Sequence, residues 1–194
     1  MDDDLVEYYV LTEDDYLDYG IQSYATPDTD ISFLTGKRIE QEIPLLNFEV
    51  DFPSGFSLPH LLTGGITLVS QKMVHLLKEA GIKNIQTFPV ALHNPANGES
   101  WNDYVALNIL GLVEAADLES SECTVIMEGD ELNLPLLAFQ SVSLVRKKLN
   151  GLLLFRMAES PATIIIHRKI VDLLMLNKPE GGWGIVLTEV TVTE

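Results

Sequence analysis

The clearest rhythm of apolar and polar positions along the chain is helical. After Ser70, the stretch QKMVHLLKEA places Met73, Leu76, Leu77 and Ala80 on one face, at the 3.6-residue period of an amphipathic helix. Ser70 suits the N-cap, because its hydroxyl can accept from an orphan amide of the first turn. Gly81 suits the stop, because glycine enters the left-handed conformation that ends many helices. Ile66–Val69 before the helix and Ile82–Val90 after it are β-branched runs that predict strands. Other strands are predicted at Leu5–Leu11, within WNDYVALNILGLV (101–113) and at Thr124–Met127, where Gly129-Asp130 supplies a turn. Leu136–Val145 and Leu152–Met157, joined by RKKLNG, predict a hairpin. Two stretches predict irregular chain: Thr12–Asp30, polar and broken by Gly20 and Pro27, and the proline-rich Pro44–Pro59.

The segment TIIIHRKIVDLL (163–174) matches the pattern of ITLVSQKMVHLL (66–77), with strand residues opposite strand residues and Leu173-Leu174 opposite Leu76-Leu77. His167 stands in the place of the Ser70 cap. Each copy runs on into another strand, IQTFPV in the first and GIVLTEV in the second. The expected fold is therefore α+β, a mostly antiparallel sheet with two similar strand–helix–strand units at about 66–90 and 163–190. The length of 194 residues suits a single domain over 1–194, with sub-lobes at 1–60 and 61–194 as the alternative division.

Composition changes this picture through charge. The formal net charge is −17, and the acids are not evenly spread. Ten precede Lys37 and nine lie between Lys83 and Arg146, with no lysine or arginine inside either stretch. Such a field repels phosphates and anionic membranes and attracts cationic partners. The only basic cluster, Arg146–Lys148, is too small to reverse that, so neither nucleic acid nor membrane is an expected partner. No apolar run approaches the length of about 18–20 residues that spans a bilayer. The acidic first residues do not resemble a signal peptide, and the lone Cys123 suits a reducing compartment, so a cytoplasmic location is expected.

Candidate chemistry is sparse. His60, His75, His93 and His167 show no metal-ligand spacing, and His167 is expected to be a helix cap or a buried polar group. No nucleophile elbow, Walker loop or dinucleotide fingerprint occurs. Acidic neighbours would raise the Cys123 thiol pKa and suppress the thiolate. No catalytic residue, metal ligand or cofactor is expected, and the chain is not expected to be an enzyme.

Three segments in order, VSQKMVHLLKEAGIKNIQTFPV, YVALNILGLVEAADLESSE and LLLFRMAESPATIIIHRKIVDLL, resemble family eleven of the bacterial immunity proteins, which neutralise polymorphic toxins. The similarity spans about Ile66 to Val190. It rests on fold-shaping positions, Ser70, Leu77, Gly81, Asn84, Pro89, Tyr104, Asn108 and Asp117, rather than on catalytic ones. Lys72 stands where members commonly carry arginine, and His167 where the second copy commonly has serine. The resemblance implies a stoichiometric inhibitor that binds and occludes a cognate toxin protein.

A toxin that acts on nucleic acid must present cationic groups, and an acidic protein can occupy them. The cognate toxin is thus expected to be basic and nuclease-like. Two surfaces are expected to meet it. The first is Asp14, Asp15, Tyr16, Asp18 and Tyr19, where carboxylates would steer and tyrosines would supply contact area. The second is Glu119, Glu122, Glu128, Asp130 and Glu131. An enzyme with a carboxylate-lined cleft and a non-inhibitory adaptor are the alternatives left open by the sequence, as is the oligomeric state.

Overall fold

In a computed structural model of the protein, residues 6–14, 18–24, 31–63, 65–130 and 134–194 are described. Short strands dominate it. They run β1 (Tyr8–Glu13), β2 (Ile21–Tyr24), β3 (Leu46–Val50), β4 (Leu61–Leu62) and β5 (Leu68–Ser70) before helix α1 (Gln71–Glu79). Next come β6 (Ile85–His93), β7 (Ser100–Trp101), β8 (Tyr104–Ile109), β9 (Leu112–Val113), β10 (Glu122–Met127), β11 (Leu136–Ser141) and β12 (Ser143–Val145). The single-turn helix α2 (Arg146–Leu149), β13 (Leu154–Met157), β14 (Ile164–His167), helix α3 (Arg168–Leu176) and β15 (Ile185–Thr193) complete the described elements.

One sheet has the strand order β2-β3-β6-β8-β5-β4, with β7 on the end of β6. A second has the order β12-β15-β1-β14-β13-β9. Just past β9, Ala116 bridges to Leu144 of β12, so this second sheet curls into a nearly closed barrel. Strands β10 and β11 pair only with each other, as a two-stranded arm.

The α+β expectation is corrected by these findings. Among the described residues 41% are strand and 13% helix, which makes the fold mostly β with several sheets. Nor do the strands flanking each helix form a unit by themselves. β8 lies between β5 and β6, and β1 lies between β14 and β15, each antiparallel to both neighbours. The expected hairpin over 136–157 is also absent: β11 pairs with β10, β12 with β15, and RKKL is a helical turn closed by Asn150 at a φ of 47°. The irregular stretches hid the remaining strands. LNFEV alternates buried and exposed side chains, but five residues between prolines are too few to display that period.

Three apolar clusters follow from the strand period of two. In β14, Ile164 and Ile166 face a core shared by the two sheets, while Ile165 points into the barrel. The shared core is filled from α1 by Met73 and Leu77 and from α3 by Ile170 and Leu174. The barrel holds Tyr8, Phe155 and Met157, and the Tyr8 hydroxyl donates to the Leu152 carbonyl at 3.0 Å. The third cluster, with Phe48, Phe52 and Leu92, covers the other face of the first sheet.

Polar links cross between the sheets. Arg156, fully buried on β13, donates to Thr67 Oγ1 and to the Pro161 carbonyl, both at 2.9 Å. No carboxylate pairs with it among the described residues, and burial lowers its pKa to about 10. At a second link, the His60 ring lies 4.7 Å edge-on from the buried Trp183 ring, whose Nε1 donates to the Leu174 carbonyl. Ser70 Oγ caps α1 by accepting from Met73 N and sits 2.7 Å from His60 Nδ1. Burial, with the Lys72 charge adding to it and Asp103 opposing, holds the His60 imidazole below its usual value.

Three outcomes are expected. Arg156→Ala opens a cavity and leaves Thr67 Oγ1 and the Pro161 carbonyl without their donor, so it destabilises by about 2–4 kcal/mol, a fall of about 10 °C in a thermal melt. Gly184 has a φ of 62°, and a Cβ there would lie 2.8 Å from Pro59 Cα, so Gly184→Ala costs about 2 kcal/mol or more by denaturant titration. For His60 the fold favours the neutral ring. Its contribution is whole above about pH 6.5 and declines as pH falls toward the depressed folded pKa. Comparing denaturation midpoints across that range, His60→Gln loses less stability on acidification than the wild type.

Candidate partner-binding surfaces

The arm grows out of the barrel's closure. Asp117 N donates to the Ser143 carbonyl, and Val145 N to the Ala115 carbonyl, both at 2.9 Å, so the chain leaves and re-enters the barrel at adjacent points. Residues 118–142 are the excursion between those points. Hydroxyls and a carboxylate fix its base. Ser143 N donates to Ser121 Oγ, and Ser143 Oγ to the Ser120 carbonyl. Asp117 accepts from Thr193 Oγ1 and from the amides of Glu119 and Ser120. Led by the Thr193 and Ser120 hydrogen bonds, these hold the Asp117 carboxyl below the usual range, the opposite of what a general acid requires.

One strand of the arm is held to the body and the other is not. On β11, Leu137 is buried and its amide donates to the Glu159 carbonyl, while Phe139 packs on the barrel cluster. On β10, Val125, Ile126 and Met127 are 48, 62 and 65% exposed. The pairing Val125↔Leu137 followed by Met127↔Leu136 leaves Ile126 as the extra residue of a bulge. Exposed Glu119, Glu122 and Glu128 and exposed Asp130 lie along the same excursion. Glu131 lies outside the described residues.

The N-terminal acids have a different setting. Asp14, Asp18 and Tyr19 line one cavity of about 310 Å³, whose floor includes Pro59, Leu61 and Leu62. Glu13 lines it too, but both its oxygens are engaged by the amide and hydroxyl of Thr63. Tyr19 is 41% exposed, and its ring packs 5.8 Å edge-on from Phe56, with Phe52 beyond. It is therefore both a cover for the third core and an exposed aromatic. Asp15 and Tyr16 lie outside the described residues.

Histidine chemistry is structural. His167 Nδ1 accepts from Lys169 N and caps α3, His75 is exposed on α1, and His93 meets Ser100 Oγ at 3.0 Å. The His60–Ser70 pair has the spacing of a nucleophile and its base, but Ser70 is 1% exposed and serves as a helix cap. Among the described residues no group of three or more His, Cys, Asp or Glu is arranged to hold a metal ion, and no helix is long and apolar enough to cross a membrane.

Sequence reasoning located the acids of the arm but missed its exposed Val125–Met127. A TVIM run reads as core strand, and no local signal distinguishes it from one. It also missed the seam residues Asp117 and Ser143 as a unit, because their contact joins positions far apart in the chain.

A search among curated proteins finds no match. The profile of an immunity protein family, Imm11, matches residues 41–191 of the 194, from just before β3 into β15. The matched stretch contains the whole β10–β11 arm and excludes Asp14–Tyr19. Immunity proteins of this kind are generally non-enzymatic and inhibit toxins. With its profile spanning most of the chain, this protein belongs to the immunity protein family Imm11.

Proposed function

We propose that the chain neutralises a cognate toxin domain by one-to-one binding and occlusion in the cytoplasm, and that the toxin surface it covers is basic, as that of a nuclease-type toxin is. The observation that carries this reading is the placement of the acids. Glu119, Glu122 and Glu128 are exposed on the arm, and Asp18 is exposed at the mouth of the N-terminal cavity. Among the described residues the ion pairs engage other acids, such as Glu7 with Arg146 and Glu114 with Lys148. A formal charge of −17 focused in this way raises the encounter rate with a cationic surface and disfavours anionic ones.

Exposed charges of this type act mainly on association. Asp18→Lys combined with Glu122→Lys and Glu128→Lys is expected to slow association with the toxin domain encoded beside this gene by about tenfold or more at low salt. The dissociation rate is expected to change little, and the salt dependence of association to flatten. Stopped-flow kinetics at two ionic strengths measure all three quantities. An unaltered association rate would remove the steering role.

A further inference from the structure

We propose that the outer strand of the β10–β11 arm is the anchor that holds the toxin, its apolar Val125–Met127 strip entering an apolar depression ringed by lysine and arginine on the partner. This rests on the inhibitor reading and adds the contact that would govern dissociation.

The arm contributes little to the fold that displays it. The barrel closes through Ala115, Ala116 and Asp117 on one side and Ser143 and Val145 on the other, so the excursion between them is not needed for closure. A two-stranded ribbon is marginal alone, and this one is steadied by the serine network at its base and by Leu137 and Phe139 on its inner strand. The outer strand makes no such contribution. Among the described residues β10 pairs with β11 alone, and its last three residues direct apolar side chains into solvent. Consecutive exposed Val, Ile and Met cost solubility, and the bulge residue Ile126 is itself 62% exposed.

The surroundings identify the occupant. Glu122 precedes the strip and Glu128 follows it, both exposed, which reproduces the apolar centre and charged rim of a protein interface. A second copy of this chain would bring glutamates against glutamates, between molecules that each carry −17. A cationic partner meets no such repulsion. The other exposed apolar pair, Met175 and Leu176 at the end of α3, has Lys178 two residues on, and Asp172 one turn back is paired with Arg168, so it serves as the control.

The test is calorimetric titration of the toxin domain encoded beside the gene with the full chain, comparing Ile126→Ser/Met127→Ser with Met175→Ser/Leu176→Ser. The arm variant is expected to weaken binding by about thirtyfold or more, in line with loss of an interface hot spot. The control should bind as the wild type does. Both pairs are exposed, so both variants should melt as the wild type does. In the wild-type complex, amide exchange in Glu122–Met127 should slow at least about tenfold, a readout that needs no variant. Wild-type affinity in the arm variant would overturn this inference and leave the inhibitor reading standing. Failure of the wild type to bind would remove both. A wild-type dimer in sedimentation that the arm variant abolishes would make the occupant a second copy and overturn the inference.

Discussion

The closure of the six-stranded sheet is the constraint on which the outward features depend. A sheet that buries Tyr8, Phe155 and Met157 on its concave face must bring its two edge strands together or leave that face wet. Here the edges are β9 and β12, and the short segment through Ala116 joins them. Ala115 and Ala116 are almost wholly buried at the join, where larger side chains would hold the edges apart. Because the chain reaches β12 only after residues 118–142, whatever those residues form must start and finish at the seam. The arm is thereby held at both ends by the barrel's own hydrogen bonds, and its outer strand carries exposed side chains the core would not select.

The second organising feature is the core between the sheets. Helices α1 and α3 both face it, and strands β5, β8, β13 and β14 each contribute one side of their pleat. Apolar contact is non-directional and would tolerate sliding of one layer over the other. The polar links remove that freedom. Arg156 reaches from β13 to Thr67, Asn84 Nδ2 donates to the Leu154 carbonyl at 3.0 Å, and His60 N donates to the Trp183 carbonyl at 2.9 Å. Each is geometrically demanding and leaves a buried group unsatisfied if broken, so together they fix one register between layers.

What the sequence made legible was local. The Ser70 cap, the α1 face, the Gly81 stop at a φ of 93° and the His167 cap are all encoded within one or two turns of chain. Sheet order was not legible, because placing β1 between β14 and β15 depends on pairing residues near 10 with residues near 165 and 190. The α+β reading erred for the same reason. Two nine-residue helices give strong periodic signals, whereas strands of two to five residues give almost none, so the helical pattern dominates the sequence of a mostly β fold. At the candidate surfaces the asymmetry repeats. Charge can be counted from sequence, so Glu119, Glu122 and Glu128 stood out. The exposure of Val125–Met127 could not be read, because it follows from which side of the ribbon the barrel occupies.

An exposed aliphatic strip on a strand edge that no other described strand pairs is also a hazard, since it invites pairing with any extended chain. The glutamates that bracket it bear on both problems at once. Toward a neutral or acidic chain, including another copy, Glu122 and Glu128 act as gatekeepers that make close approach of the edge unfavourable. Toward a basic surface the same carboxylates become favourable neighbours as the strip is desolvated. Selectivity then comes less from the apolar residues, which would stick to many surfaces, than from the charges that decide which surfaces may reach them. An arm of this composition can remain exposed in a crowded compartment and still commit to one class of partner.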